Sequence, residues 1–293
     1  MAHEDHTTSS CWRKFKDELV KGTLLSPVPT TLKQAQRTRV SALLNILYAA
    51  PVRISIVLPA FNEEKLIVAT LQAVHSAREA FTSLGWTSEV IVCDNNSTDR
   101  TGELARAAGA QVVFEPVNQI ARARNSGAAA ATGDWLVFVD ADSHVSRDLL
   151  ADVAEVIRAA QHLAGGSTVR LDHAPWWTGL FLHGWTILSL CARWAAGSFI
   201  FVQADAFRAV GGFNQALYAT EEIDLSQRLN RLARQRKLKP MRILTRHPLL
   251  TSGRKAHLYT PWEGLRFMLK TAFSLGRSLK SRDACPIWYD GRR

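Results

Sequence analysis

Between residues 53 and 139, short apolar strands alternate with helix-patterned segments, and this alternation constrains the chain more than any other feature. Residues 53–58 (RISIVL), 89–93 (EVIVC), 112–115 and 135–139 (WLVFV) read as strands. The intervening 63–84 carries Ile67, Leu71, Val74 and Phe81 on one helical stripe and stops at Gly85, while helices at 98–108 and 119–131 end at Gly109 and Gly133. Such an order predicts an α/β fold, a mostly parallel sheet flanked by helices on both faces, with ligands held at the carboxyl ends of the strands. Polar segments sit at those ends: Pro59-Ala60-Phe61-Asn62-Glu63-Glu64 after the first strand, Asp94-Asn95-Asn96-Ser97-Thr98-Asp99 after the second, and Asp140-Ala141-Asp142 after the fourth. Three strands therefore bring carboxylates to one edge.

The second half is less regular. Strands at 167–171 and 198–203 flank a stretch, 174–192, that lacks Lys, Arg, Asp and Glu. A helix is expected at 221–234, with Leu225, Leu229 and Leu232 inward and Arg228, Arg231 and Arg234 outward. No Pro/Gly/Ser-rich joint divides the chain, so 51–250 is expected to be a single large domain. A helical extension at 1–50 precedes it, and a basic, helical tail at 251–293 packs on it. With 47% hydrophobic and 21% charged residues the chain can fill a core, which excludes disorder, collagen and coiled coil.

The four cysteines stand too far apart in sequence for a zinc knuckle or a redox pair, which favours a reducing compartment. A net charge of +10 implies attraction to something anionic: nucleic acid, anionic lipid or a phosphorylated substrate. Charged residues such as Glu4, Asp5, Arg13 and Lys14 interrupt the start, so no signal-peptide core is expected there.

Asp140 and Asp142 stand two apart at a strand end, so their side chains can share one divalent cation. Hard oxygen ligands suit Mg²⁺ or Mn²⁺, which bridge diphosphate oxygens. An isolated D-x-D also forms turns and caps helices. Asp94 fits either a helix cap or a partner for a nucleobase and ribose, and Glu63 and Glu64 would favour a helix dipole in any protein. What distinguishes these acids is that the topology brings all of them together.

The segments V-L-P-A-F-N-E-E, D-N-N-S-T-D-R-T, A-R-A-R-N-S-G-A-A-A-A-T-G-D, F-V-D-A-D and G-G-F-N-Q…E-E-I-D-L-S-Q-R-L occur in that order. Together they resemble a family 2 glycosyltransferase with the GT-A fold, over residues 52–234, with weaker similarity through T-S-G-R-K and the final W-Y-D-G-R-R. The resemblance implies inverting, metal-dependent transfer of a sugar from a nucleotide-diphosphate donor to a hydroxyl acceptor: a polysaccharide, a glycolipid or a lipid-linked molecule.

The same resemblance implies that Pro59, Ala60, Phe61 and Glu63 hold the nucleotide, that Asp94 contacts the base, and that Arg124 and Asn125 lie near the diphosphate. It sets Asp140 near ribose and Asp142 on the metal, Mn²⁺ or Mg²⁺. The family's E-D-x-D-L motif, whose second acid is the general base, reads Glu221-Glu222-Ile223-Asp224-Leu225 here, so Glu222 takes an Asp position with one added methylene. Glu221 and Asp224 are the other candidates for that task. Arg254 and Lys255 suit a clamp over the diphosphate, and His247 or His257 a further metal ligand. Sugar selectivity is expected from loops such as the one around 169–173.

Three tryptophans, Trp176, Trp177 and Trp185, make the uncharged 174–192 a better interfacial helix than a membrane span, against the plainer reading of a buried core helix. A cytoplasmic location follows, with peripheral attachment to the inner face of an anionic membrane as the sharper option. Neither G-x-G-x-x-G nor a Walker motif occurs, which argues against a Rossmann oxidoreductase. No zinc finger or RNP signature accompanies the basic charge, so nucleic acid is not an expected partner. The competing function is a catalytically silent relative that binds sugar nucleotide or a partner protein.

Overall fold

The four strands expected in the first half all form, and each alternates its side chains between two cores. The computed structural model describes residues 51–258, Trp262, Glu263, Arg266, residues 277–285 and Tyr289. The expected extension at 1–50 lies outside them, as does most of the tail beyond Leu258.

Strand β1 (Arg53–Ala60) pairs in parallel with β2 (Thr87–Asp94) on one side and β4 (Trp135–Val139) on the other, and β3 (Gln111–Phe114) pairs in parallel with β2. On β1, Ile54, Ile56 and Leu58 enter one core and Val57 the other; on β4, Trp135, Val137 and Val139 oppose Leu136 and Phe138 in the same way. Period-two burial on both faces is what helices on both faces require.

Helices α1 (Ile67–Ala77), α2 (Glu79–Thr82) and α3 (Thr101–Ala107) follow β1 and β2. The single long helix expected at 63–84 instead opens with a turn, where the Glu63 carbonyl accepts from the amides of Leu66 and Ile67, and it breaks at Arg78. Helix α4 (Ile120–Ala130) packs on β1 and β2 closely enough that a Cβ at Gly127 would stand 2.4 Å from Val57 Cγ1. This approach explains its small-residue composition.

The second half completes the sheet. Strand β5 (Ser143–His144), helix α5 (Arg147–Ala159), β6 (Ala164–Asp172), α6 (Trp176–Ala192), β7 (Phe199–Gln203), α7 (Ala204–Ala209), α8 (Glu221–Gln235), β8 (Arg242–Ser252) and α9 (Arg254–Leu258) follow in order. The described strands form one sheet in the order β3-β2-β1-β4-β7-β6-β8-β5, with β7 antiparallel to both its neighbours. The strand expected at 167–171 forms and runs on through Asp172, Val169 to Asp172 pairing with β8 from Leu249 to Ser252, so most of the segment named for sugar selectivity is strand and not loop.

Helix α5 went unrecognised in the pattern although its signals are present. Ser146 accepts from the Leu149 amide as N-cap, and Leu149, Leu150, Val153, Val156 and Ile157 form the buried stripe. Strand order runs outward from β1 in both directions, toward β2 and toward β4, so the topological switch lies between β1 and β4. The crevice beyond their carboxyl ends is where such a sheet binds ligands.

Candidate active site

A cleft of about 220 Å³ opens at that switch point. Pro59, Ala60, Phe61 and Glu63 from the end of β1 form one wall, with Asn95 after β2 and Asn118 and Ile120 at the start of α4. Opposite stand Asp140, Ala141 and Asp142 after β4, Gly197 and Ser198 before β7, and Thr220, Glu221 and Glu222 at the start of α8. Tyr289 lines it from the C-terminal segment.

Arg124 ties these walls together. Only 3% exposed, its guanidinium donates to Asp140 Oδ1 at 2.9 Å, to Glu221 Oε1 at 2.8 Å and to the Gly197 carbonyl at 2.8 Å. Its Cζ lies 5.2 Å from the centroid of the Phe213 ring. Burial opposes the Arg124 charge, but Asp140 and Glu221 outweigh it and hold the guanidinium firmly protonated. Arg124 thus anchors the end of β4 and the start of α8 to one fork of hydrogen bonds.

Glu221 and Glu222 share an entry that few residues adopt. Thr220, the residue before α8, has φ 63°, a left-handed conformation that a β-branched residue rarely takes. Glu221 is buried against Arg124, while Glu222 is half-buried and faces the cleft. A Cβ added to Gly197 would lie 3.5 Å from both Arg124 Nη2 and the Glu222 carboxyl carbon, ordinary contact distance, so the Gly197 backbone passes directly beside both side chains. Burial, and after it the charge of Glu221, pushes Glu222 up to about 8. The third acid, Asp224, is spent within the helix on Arg228 at 2.6 Å and does not line the cleft.

The remaining candidates divide. Asp142 lies in the cleft near Thr251, whose hydroxyl is 3.4 Å from Asp142 Oδ1. Asp94 accepts from the Ser97 amide at 3.0 Å, the turn-capping use, and the cleft wall at that point is the next residue, Asn95. Asn95 is buried and rigid: it donates to the carbonyls of Glu115 and Val117 and accepts from the Gln119 amide. Asn125 does not reach the cleft; its amide exchanges two 2.9 Å hydrogen bonds with the backbone of Phe213 and so pins the Gly211-Gly212-Phe213 turn.

Arg254 holds both carboxylate oxygens of Glu63 at 3.0 Å, which fastens the start of α9 to the loop after β1. The Lys255 side chain lies outside the described residues. The two histidines considered as metal ligands are engaged elsewhere: His247 pairs with Asp152 at 3.0 Å and His257 with the His173 carbonyl.

Motif reasoning missed Asn95, Asn118 and Tyr289 among the polar cleft residues, and Tyr289 comes from farthest away in sequence. Its hydroxyl accepts from the Ile120 amide at 3.2 Å, its ring packs edge-on against Tyr218 at 5.5 Å, and burial raises its phenol above the ordinary range. The signal was the terminal W-Y-D-G-R-R, whose place in the fold nothing local reveals.

Residues 55–191 match the family model described as glycosyl transferase family 2. An uncharacterised glycosyltransferase of Mycobacterium tuberculosis is 36% identical over 125 residues, which cover 42% of this chain and 53% of the relative. The chain thus spans about half the length of that relative. EpsJ of Bacillus subtilis, also an uncharacterised glycosyltransferase, is 29% identical over 107 residues, 35% of this chain and 29% of its own.

Among solved structures, a mannosyltransferase from Pyrobaculum calidifontis in complex with GDP-Man and Mn²⁺ superposes with a TM-score of 0.57 at 17% identity, over 85% of this chain and 73% of that one. Glucosyl-3-phosphoglycerate synthase from Mycobacterium tuberculosis, in complex with Mn²⁺, UDP and phosphoglyceric acid, gives 0.53 at 20% identity, over 88% and 85%. At such identities the likeness is one of fold, and the fold is GT-A.

Proposed function

We propose that this chain, whose residues 55–191 belong to glycosyltransferase family 2, transfers a sugar from a nucleotide-diphosphate donor to a hydroxyl acceptor with inversion at the anomeric carbon. The observation that carries this reading is the meeting in one cleft of Asp140 and Asp142, from the end of β4, with Glu222, from the first turn of α8. The acceptor oxygen attacks the anomeric carbon, the bond to the diphosphate oxygen breaks on the opposite side, and the hydroxyl proton passes to Glu222. Glu221 cannot share that task while its carboxylate is held by Arg124.

Asp140 and Asp142 fit a Mg²⁺ or Mn²⁺ ion. Both offer hard oxygens, and with Asp140 Oδ1 taken by Arg124, the other Asp140 oxygen and the Asp142 carboxylate would hold the ion. Among the described residues no group of three or more His, Cys, Asp or Glu side chains is disposed to hold an ion without the donor. When bound, the ion offsets the charge that develops on the departing diphosphate. Arg124 and Arg254 each keep a buried Nε with no hydrogen-bond partner among the described residues, donor capacity beside the cleft for an anionic ligand.

A thermal-shift screen of nucleotide-diphosphate sugars with Mn²⁺ tests the reading, because ligand at a hundred times Kd raises stability by about 2.7 kcal/mol. A donor bound selectively but never turned over, to acceptor or to water, would favour the silent-relative alternative. Asp142→Asn is expected to keep the fold and lose the metal-dependent part of nucleotide affinity, measured by calorimetry with UDP and GDP with and without Mn²⁺. Unchanged metal-dependent affinity in a folded variant would remove Asp142 from the ligand set.

The raised Glu222 makes a pH prediction with two opposed slopes. The folded chain keeps a proton that the unfolded chain releases between 4.5 and about 8. Stability of the ligand-free protein from this group is therefore fully present below 4.5 and declines as pH rises through about 8. The base works only when ionised, so kcat/KM is expected to climb over the same window, with a midpoint well above the ordinary carboxylate range. Melting curves and kcat/KM from about pH 5 to about pH 9 read both slopes, and a rate plateau already complete at about pH 5 would remove Glu222 from the mechanism.

A further inference from the structure

Helix α6 turns its apolar side outward. Among its described side chains, Thr178 and Ser189 are buried, whereas Leu180, Ile187 and Leu188 are 78%, 52% and 45% exposed. The two buried hydroxyls are satisfied locally, Thr178 by the Pro175 carbonyl and Ser189 by the Trp194 carbonyl. Leu180, Gly184, Ile187, Leu188 and Cys191, all exposed, follow helical spacing and share one face. No Lys, Arg, Asp or Glu interrupts the helix. An uncharged apolar face of this kind marks a surface that something covers.

A basic corner adjoins its C-terminal end. Arg193, the residue after the helix, is exposed, and so are Lys239 and Arg242. All three stand close enough to His162 to disfavour its protonated form, after burial, the larger cause. The Lys239 ammonium bonds the neutral Gln161 amide, so its charge stays uncompensated there. Helix α8 braces the corner, its Asn230 donating to the Arg193 carbonyl, and adds exposed Arg231 and Arg234. The helix that carries the apolar face thus ends at the cationic corner.

We infer that α6 docks this domain on an anionic lipid bilayer, with Leu180, Ile187 and Leu188 at the headgroup–acyl boundary and Arg193, Lys239 and Arg242 against the phosphates. An apolar face that ends at exposed cations fits an anionic bilayer, whose acyl boundary receives the one and whose phosphates receive the other. The helix lies along the surface and does not cross it. Its 17 residues reach ~26 Å at ~1.5 Å each, short of the ~30 Å hydrocarbon core, and no described helix is long and apolar enough to span. The inference stands apart from the transferase reading, since vesicle binding and sugar transfer are measured separately.

Flotation of the full chain with vesicles of phosphatidylcholine, alone or mixed with phosphatidylglycerol, tests it. Binding is expected only to the anionic mixture and only at low salt, because the screening length falls from ~10 Å at 0.1 M to ~3 Å at 1 M. Leu180→Gln, Ile187→Gln and Leu188→Gln combined are expected to weaken binding at least about tenfold, and loss of Arg193, Lys239 and Arg242 about fivefold each. All six positions are exposed, and unchanged melting and UDP or GDP affinity would certify the fold of the variants. Absence of flotation at low salt overturns the inference, as does equal binding by wild type and variants. A concentration-dependent dimer in sedimentation that the apolar triple variant dissolves, without vesicle binding, would assign the face to a second copy instead.

Discussion

Glu222→Gln is expected to lower sugar transfer by ~10²- to 10⁴-fold while leaving donor affinity within about twofold of wild type. The amide fills the same space but cannot take the acceptor proton. It also spares the anchoring network, because the described hydrogen bonds of Arg124 go to Asp140, Glu221 and the Gly197 carbonyl and not to Glu222. Single-turnover transfer beside calorimetric donor binding separates the two effects. The variant should also lose the Glu222 contribution to both pH slopes, which a merely structural residue at this position would not do to the rate. Near-normal transfer would sink the assignment, and it would leave Glu221, held by Arg124, and Asp224, held by Arg228, as acids that must first give up their partners.

Arg124→Met is expected to cost about 3 to 5 kcal/mol, chiefly because it leaves the Glu221 carboxylate buried without its cation, while the part-exposed Asp140 loses the same partner at less cost. For a domain of this size that corresponds to a fall in Tm of roughly 6 to 20 °C. The loss should shrink toward low pH, where the buried Glu221 carboxyl takes up a proton. Metal-dependent nucleotide affinity should fall in the same variant, because Asp140 loses the fork that orients it. Arg124→Lys keeps a charge but not the planar fork, and an intermediate Tm is expected. A melt within about 2 °C of wild type for Arg124→Met would mean that the network contributes little and that some other contact positions Asp140.

The strands of the first half and the acids at their ends could be read from the chain alone, because period-two burial and terminal glycines are local properties of sequence. So could the presence of Asp140 and Asp142 at one strand end and the helix that begins at Glu221, whereas the order of the strands in the sheet could not. Resemblance to family 2 depended on those same local segments in order. How each polar side chain is spent could not be read, because hydrogen-bond partners are chosen by packing across long separations. Arg124 meets Glu221 from 97 positions away, Asn125 meets Phe213 from 88, and the Tyr289 hydroxyl meets the Ile120 amide from 169. Asp94 and Asn125 match a nucleotide-site motif by position, yet the tertiary structure uses one to cap a turn and the other to pin a loop. Helix α6 makes the same point from the opposite direction. Its apolar composition suits a core equally well, and only its packing against β6 decided which face would be left in the open.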